Sequence, residues 1–494
     1  MNNIKKVLSV FVLAVLGSTM AVADSHHTNS DALQSRLQSL SVQTERLQKE
    51  LVALRTEMKE LPRPPRARRK RHHKMSHREH QHYFPTVLTS PLLGLRSAYD
   101  AHDLVVNLPS MNEDLRLLRY RRQFVNTNRG AVLYENKPII EMSGRVEGIA
   151  SSTRGYTGVN TSDINVANAE LDTWVEAGRW AMGFMSIGFD NSFLDPAVFG
   201  FGRRLNNSKL FLKRGFVTIG DLTHSPFYFS IGQMFVDFGR YSTMMVSAPM
   251  TLVLGRTNAR AVNIGYAQHG LYVSAYAFRG DTGTGGLARV EQGGANAGYQ
   301  FEFAGLHANM GVGYIANITD AEGFQGTGNA SGTFQGFGQS AATELVLHRV
   351  PALNAHGEFD YGPYSLKTAY VGVLQSFHSA DLTFNGLGAR PRAMHLEGQY
   401  HFDLIGKPMG VGFAYDHSWE ALALNIPLNS YTFIYSASLW KNTIASVEFR
   451  HDINYGPADI AGGRCSTTGL APFCTTTVPG RKRNTILAQL GVYF

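Results

Sequence analysis

Segments of alternating polar and apolar residues run from residue 138 to the end of the chain, and they constrain the fold more than any other feature. The connections between them alternate between short, as at His269-Gly270 and Gly362-Pro363, and long, as at 236–258, 319–352 and 454–481. Side chains on a strand point alternately to opposite faces. Membrane β-barrels combine such strands with short turns at one end and long loops at the other. The sequence therefore predicts an all-β transmembrane barrel of about 16 antiparallel strands.

The alternation also predicts which face each side chain takes. Strands are expected at 138–150, 167–177, 180–190, 208–220, 226–235, 259–268, 271–280, 296–304, 306–318, 353–361, 364–376, 393–402, 409–417, 431–440, 443–453 and 482–494. The side chains expected to face lipid include Leu171, Thr173, Val175, Leu271, Val273, Ala275 and Ala277. Those expected to face the lumen include Glu170, Asp172, Glu176, Ser274, Glu448, Arg450 and Asp452. Charged side chains are tolerated in a wet lumen and costly on the lipid side.

The last segment, NTILAQLGVYF, shows the pattern clearly. Ile486, Ala488, Leu490, Val492 and Phe494 share one wholly apolar face. A soluble sheet could also contain such a strand. In a barrel the last strand closes on the first, and aromatic side chains collect at the membrane interfaces. We therefore expect Phe494 to lie at the periplasmic interface.

The N-terminus has the three parts of a secretory signal peptide. Lys5 and Lys6 precede an apolar run from Val7 to Leu16, and Ala21-Val22-Ala23 is a small-x-small cleavage site. This pattern predicts a signal peptide over residues 1–23. The apolar run has about half of the ~20 residues that a spanning helix needs, and no later stretch approaches that length. We therefore expect an outer-membrane protein that spans the bilayer with strands.

Residues 24–61 are predicted to form a periplasmic α-helical coiled coil. The seam consists of Leu33, Leu37, Leu40, Thr44, Leu47, Leu51, Leu54, Met58 and Leu61, at alternating spacings of four and three. Such a strict and narrow apolar seam is typical of a coiled coil, although a single amphipathic helix packed on the same protein is the alternative. A homo-oligomer through residues 31–61 is expected, without a fixed number of chains.

The basic charge of the protein lies in the N-terminal arm. The chain has a formal net charge of +8, and residues 85–494 net to zero. Residues 62–84 form a basic, His-rich linker, RARRKRHHKMSHREHQH, whose available partners behind a signal peptide are anionic lipid or cell wall and not nucleic acid. A solvated spacer is the alternative. Residues 85–137 form a bridge in which Ser110 and Glu113 predict a short helix, placed either under the barrel or in its lumen.

The two cysteines, Cys465 and Cys474, lie in one polar stretch. In an exported protein, a disulfide between them is the expected outcome. We predict no metal site and no cofactor. No arrangement of residues indicates catalysis, so we do not expect an enzyme.

Several long stretches resemble the legiobactin-receptor family of outer-membrane siderophore porins. They are TSPLLGLRSAYDAHDLVVNLPSMNEDLRLL, FVTIGDLTHSPFYFSIGQMFVDFGRYSTMMVSAPMTLVLGRTNARA, LTFNGLGARPRAMHLEG and SVEFRHDINY. The similarity runs from roughly Ser90 to Phe494, and the coiled-coil arm is also typical of that family. The resemblance implies a barrel that takes up an iron-loaded polycarboxylate siderophore without a plug domain.

Arginines in the predicted outer loops and lumen fit an anionic ligand. Guanidinium groups bind carboxylates through paired hydrogen bonds. The candidate ligand-binding residues are Arg203, Arg204, Arg240, Arg256, Arg279, Arg390, Arg392 and Arg450, with Tyr272 and Tyr276 as possible stacking partners. Porins also line constrictions with arginines that face acids and sort ions without binding a ligand. The two tyrosines could equally fill the lumen or belong to an aromatic girdle.

Three functions therefore compete on sequence grounds. A siderophore channel predicts a saturable site at the outer mouth. A general or weakly anion-selective porin predicts an inward-folded loop, for which 236–258 and 319–352 are candidates. An envelope tether, acting through the coiled coil and the basic linker, predicts that deletion of residues 24–84 loosens the envelope and spares transport.

Overall fold

The computed structural model describes residues 86–89, 139–177, 180–189, 210–221, 225–280, 289–326, 346–440, 442–463, 474–475 and 481–494. The predicted signal peptide, coiled coil, basic linker and most of the bridge lie outside these residues and stay predictions. So does the predicted disulfide, because Cys465 is not described.

Sixteen strands form the barrel. They are β1 (Ile139–Arg154), β2 (Asn160–Ala177), β3 (Ala181–Phe189), β4 (Leu210–Ile219), β5 (Phe227–Phe235), β6 (Asn258–Gln268), β7 (Leu271–Phe278), β8 (Gln292–Phe303), β9 (Leu306–Ile315), β10 (Ala352–Tyr361), β11 (Tyr364–Val373), β12 (Arg392–Leu404), β13 (Lys407–Trp419), β14 (Asn429–Ala437), β15 (Thr443–Ile453) and β16 (Lys482–Tyr493). Each strand pairs antiparallel with the next, and β16 pairs antiparallel with β1. The sheet is therefore closed, and the predicted fold class is confirmed.

Every predicted strand is present, and the differences lie at strand ends. The first long connection was expected over 151–166, but β1 and β2 pair as far as Arg154 and Asn160, so only 155–159 remain as a loop. This loop is shorter than the connection 220–226 at the opposite end, so the strict alternation of long and short is wrong here. The added residues of this hairpin form almost no apolar face, so the alternation of polar and apolar residues did not indicate that they belong to the strands.

The outward face is an apolar band with aromatic residues near the short-turn end. Leucine, isoleucine and valine side chains alternate with buried ones along the strands, as at Leu171, Ile264 and Val273, which are exposed. Exposed aromatics at or near the short turns include Trp180, Phe227, Phe303, Tyr361, Tyr364, Tyr400, Trp440 and Phe494. This is the surface that an outer-membrane barrel presents to lipid. The predicted facing of β2, β7 and β15 is confirmed.

The seam of the barrel explains the position of Phe494. Its N–H donates to Gly144 O at 2.9 Å, and Gly144 N–H donates to Phe494 O at 2.6 Å. A Cβ at position 144 would lie 2.7 Å from the Phe494 ring, so only glycine admits this aromatic. Below the seam, a short strand at Thr86–Thr89 pairs parallel with Ile139–Met142 and covers the remaining edge of β1.

The loops at the other end fold together into a cap. Residues 382–384, 387–388, 461–463 and 474–475 form a separate four-stranded sheet. Its apolar core includes Phe324, Phe377, Leu382, Leu422, Leu424 and Tyr455, all buried. Helices α1 (Met250–Gly255) and α2 (Glu322–Gly326) and a 3-10 turn at Leu422–Leu424 complete this region. None of the helices in the described part of the chain is long and apolar enough to cross a membrane.

Candidate functional site

The third long connection, residues 236–257, folds into the lumen; it is called loop 3 below. It leaves β5 on one side of the barrel and reaches side chains of β12, β13 and β15 on the other. Most of its residues are buried, including Phe238, Tyr241 and Met250. One of the two loops predicted as inward-folded candidates is thus the loop that crosses the lumen.

Three wall carboxylates hold the tip of loop 3. Thr243 Oγ1 and Met244 N–H both donate to Glu397, the latter at 2.8 Å. Val246 N–H and Ser247 N–H donate to Glu448, and Met250 N–H donates to Asp416 at 3.1 Å. These three carboxylates are referred to as the latch: Glu397, Asp416 and Glu448. Because hydrogen bonds to charged acceptors in buried sites are among the stronger ones, the latch fixes loop 3 in one position.

His395 joins two members of the latch. Its Nδ1 lies 2.9 Å from Asp416 Oδ1, and its Nε2 lies 3.0 Å from Glu397 Oε2. The imidazole is 3% exposed. Because one ring nitrogen of His395 contacts each carboxylate, the imidazole orients both Asp416 and Glu397 toward loop 3.

The near end of loop 3 is fixed by neutral donors. Asn263 Nδ2 donates to Asp237 Oδ2 at 2.8 Å, and Ser274 Oγ donates to the same oxygen at 2.7 Å. Tyr241 Oη donates to Phe238 O within the loop. Burial raises the pKa of Tyr241, so this hydroxyl stays protonated.

A group of cations lies on the lumen wall of β1 and β4. Arg145 Nη2 lies 2.7 Å from Glu170 Oε2, Lys213 Nζ lies 2.9 Å from the same oxygen, and Arg214 Nη2 lies 2.8 Å from Glu170 Oε1. Asp172 lies 3.6 Å from Arg214. Glu147 lies 3.6 Å from Arg145, so three cations face three carboxylates on this wall, and its charges are paired.

A second group of cations lies at the opposite side of the seam. Arg450 Nε and Arg483 Nε donate to the two oxygens of Asp452, at 2.8 and 2.9 Å. The predicted lumen position of Arg450 is therefore confirmed, and Arg483 accompanies it. These two groups of cations thus lie on β1, β4, β15 and β16, while the latch lies on β12, β13 and β15. Lys367 on β11 is a further buried cation on the lumen face.

Two of the predicted arginines belong to loop 3. Arg240 Nη2 lies 2.7 Å from Glu358 on β10, and both side chains remain partly exposed, at 13% and 12%. Arg256 Nε lies 2.6 Å from Glu322, and its guanidinium stacks over Phe235 at 4.8 Å. Burial raises the pKa of Glu322 while Arg256 lowers it. Arg240 therefore faces the lumen, and Arg256 ties loop 3 to the cap.

The other predicted arginines do not gather at one place. Arg279 is exposed just beyond β7. Arg390 donates to the carbonyl oxygens of Val373 and Leu374, and Arg392 lies on the outward parity of β12. Arg203 and Arg204 lie outside the described residues.

Tyr272 and Tyr276 lie flat on the lumen wall. Tyr272 Oη donates to Asn309 Oδ1 at 2.9 Å, and Tyr276 Oη donates to Tyr314 O at 3.1 Å. A Cβ at Gly298 would lie 2.1 Å from Tyr272 Oη, and one at Gly294 would lie 2.3 Å from Tyr276 Oη. Each ring thus fills the space above a glycine. This arrangement agrees with the alternative that the two tyrosines fill the lumen.

Sequence reasoning placed Glu448 in the lumen but gave no role to the latch or to the wall cations Arg145, Lys213 and Arg214. Alternation places the latch, Arg145 and Arg214 on the lumen face, but it cannot place the consecutive residues Lys213 and Arg214 there together. Both reach Glu170 because the register of β4 shifts opposite Ser186 and Ile187. The partners of these residues could not be predicted from the sequence, since Glu397 and Thr243, for example, are 154 residues apart.

The geometry defines an outer-membrane β-barrel of the channel type, with a polar lumen narrowed by an inward loop. The chain is 39% identical over 415 residues to the UPF0422 protein lpg2959 of Legionella pneumophila, covering 83% of this chain and 76% of that protein. It is 32% identical to a UPF0422 protein of Coxiella burnetii, covering 99% of both chains. The chain therefore belongs to the UPF0422 family.

No family model matches the chain. Among solved structures, the outer-membrane channel DcaP of Acinetobacter baumannii aligns with a TM-score of 0.46 and 12% identity, covering 72% of this chain and 97% of that one. An anion-selective porin from Comamonas acidovorans aligns with a TM-score of 0.44 and 10% identity, covering 72% and 100%. At these scores, the assignment of the fold rests on the closed strand pairing.

Proposed function

We propose that this barrel takes up an iron-loaded polycarboxylate siderophore by a plug-less, porin-like route. The observation that carries the proposal is loop 3, fixed across the lumen so that a solute must pass between fixed charges. Arg240 lies on the loop, and Arg145, Lys213 and Arg214 lie on the β1–β4 wall. Guanidinium groups suit the carboxylates of such a ligand.

Two further features support this substrate class. The sequence resembles siderophore porins from roughly Ser90 to Phe494, with loop 3 inside one of the similar stretches. The cap over the long-loop end shares one apolar core with loop 3, and Tyr455 Oη accepts from Ala421 N–H at 3.0 Å within the cap. A preorganised entrance favours selection of a ligand over unrestricted diffusion.

A general or weakly anion-selective porin is the second candidate. Loop 3 also favours it, because an inward loop narrows such pores, and so does the pairing of the wall cations with Glu170 and Asp452. Fixed charges of both signs would then sort ions by their field without a ligand site. The envelope tether through residues 24–84 rests on the sequence alone.

The test measures conductance of the purified full-length protein in planar bilayers while an iron-loaded polycarboxylate siderophore is added. Saturable block that is absent with the iron-free ligand is expected. Arg240→Gln should weaken this block, while Arg260→Gln, an exposed cation on the outward face of β6, should not. Conductance that follows the bulk conductivity of the solution, unaffected by the siderophore, would overturn the proposal and favour a general porin.

A further inference from the structure

The lumen face of β2–β4 carries a row of aromatic side chains near the short-turn end. Trp174, Phe184 and Phe216 are cross-strand partners on three successive strands, and their side chains take the lumen parity. Phe184 and Phe216 lie 5.3 Å apart between ring centroids. Met182, one pair nearer the short turns, continues the apolar surface, which is called the aromatic row below.

The aromatic row is buried, although it points into the lumen. Trp174, Met182, Phe184 and Phe216 are 1%, 3%, 4% and 3% exposed. A strand wall that faces a water-filled bore leaves the tips of its side chains wet. Trp174 Nε1 also has no hydrogen-bond partner among the described residues. Among the described residues, the Arg214 guanidinium lies over the Phe184 ring at 4.9 Å, and no contact satisfies the indole N–H. The row therefore has the properties of a packed interface whose polar contact is still open.

The contacts at the barrel seam indicate which segment of the chain lies close to the aromatic row. Thr86–Thr89 runs parallel to β1 along the edge that β16 occupies higher up, with Thr89 opposite Met142. Phe494 is already paired with Gly144 on the same edge. At most one further residue fits between them, so this edge of β1 offers no further pairing to the residues after Thr89.

The composition of residues 90–138 indicates whether this segment lies on the lipid side or the lumen side of the barrel wall. Residues 90–138 contain seven Lys/Arg and five Asp/Glu. Outside the wall lie hydrocarbon and the interface marked by Phe494, where such a segment would bury many charges at a cost. The lumen wall is polar and accepts them.

Both ends of this segment lie beside the aromatic row. Leu88 pairs with Glu141, and Glu141 pairs with Trp174, so the chain leaves the wall two strands from the row, roughly 10 Å at the usual strand spacing. The chain re-enters the wall at Ile139, the direct partner of Glu176 on β2. A segment of 49 residues that starts and ends here needs no long path to reach the row.

We infer that the aromatic row is a docking surface for residues 90–138 of the same chain, inside the lumen. Leu115, Leu117 and Leu118 are apolar side chains that can pack on the row, and the neighbouring arginines can pair with carboxylates such as Asp172. This docking does not depend on the transported solute.

Photocrosslinking in the folded, full-length protein tests the docking. Phe184→p-benzoylphenylalanine and Phe216→p-benzoylphenylalanine keep an aromatic ring, and folding is checked by the heat-dependent shift in gel mobility. The products are mapped by mass spectrometry, and adducts to peptides from 90–138 are expected. Phe433, an exposed aromatic on the outward face of β14, serves as the control position and should give no such adduct. Adducts only to the barrel wall, to loop 3 or to residues 24–84 would overturn the inference.

Thiol reactivity gives a second test that does not need a crosslink. In a variant without Cys465 and Cys474, Met182→Cys should react at least 10-fold more slowly with a small charged thiosulfonate than His307→Cys does. His307 has a side chain that is 61% exposed near the short-turn end. Equal rates at the two positions would show that water covers the row and would overturn the docking.

Discussion

Replacing Glu397 by alanine should loosen loop 3 without unfolding the barrel. The change removes two of the five hydrogen bonds that join the loop to the latch, those from Thr243 and Met244. Hydrogen bonds to a charged acceptor contribute about 1.5–3 kcal/mol each, so the loss is about 3–6 kcal/mol. Since about 1.4 kcal/mol is a factor of ten, the equilibrium between the displaced and the fixed loop should shift by about 100-fold or more.

Single-channel recording measures this shift. Glu397→Ala should show added current noise and excursions to a higher conductance. Glu397→Ala combined with Glu448→Ala, which removes four of the five bonds, should hold the higher conductance most of the time. Glu302→Ala removes the same charge from an exposed side chain that does not touch loop 3 and serves as the control. Wild-type conductance and noise in the folded double variant would refute the reasoning that the latch fixes the loop.

Three further predictions follow from contacts outside the latch. Deletion of Phe494 removes the two backbone hydrogen bonds to Gly144, about 1–3 kcal/mol, and should lower the heat-modifiable fraction, whereas Phe494→Ala, which keeps both bonds, should lower it less. Gly298→Val places a Cβ against Tyr272 Oη and should destabilise the barrel by about 1–3 kcal/mol in urea unfolding, with partial rescue by Tyr272→Ala. Burial raises the pKa of Tyr455 to about 12. The stability that its hydroxyl gives to the cap is therefore complete below the free-tyrosine pKa of about 10 and is lost as the pH rises to about 12. Near-ultraviolet circular dichroism should follow this loss of stability, and Tyr455→Phe should abolish this pH dependence.

The barrel was predictable because its signal is local. Alternation within a strand and the short turns fix the sixteen strands, and the inward side of β7 follows from parity alone, as at Ser274 and Tyr276. The extension of β1 and β2 to Arg154 and Asn160 was not predictable, because the added residues are polar apart from Ile164 and Val166, which are too few to mark an apolar period.

The site was less predictable because its contacts are distant in sequence. Arginines were chosen for their chemistry and their place near strand ends, and only some of them share the lumen. Arg390 illustrates the difficulty, since its guanidinium donates to two carbonyl oxygens of its own neighbourhood. Which arginine faces a solute depends on which carboxylate already holds it, and that depends on packing between strands far apart in the chain.

The neutral net charge of the barrel does not determine how its lumen interacts with an anion. Residues 85–494 net to zero, so the barrel as a whole does not attract anions through its net charge. In the structure, the three latch carboxylates accept hydrogen bonds from loop 3 and are shielded from a passing solute. The pair Arg240–Glu358 differs, because both side chains keep part of their surface exposed. Because Arg240 keeps part of its guanidinium open to the lumen, a carboxylate in transit can reach it beside Glu358, so the selectivity of the channel depends on such pairs and not on its net charge.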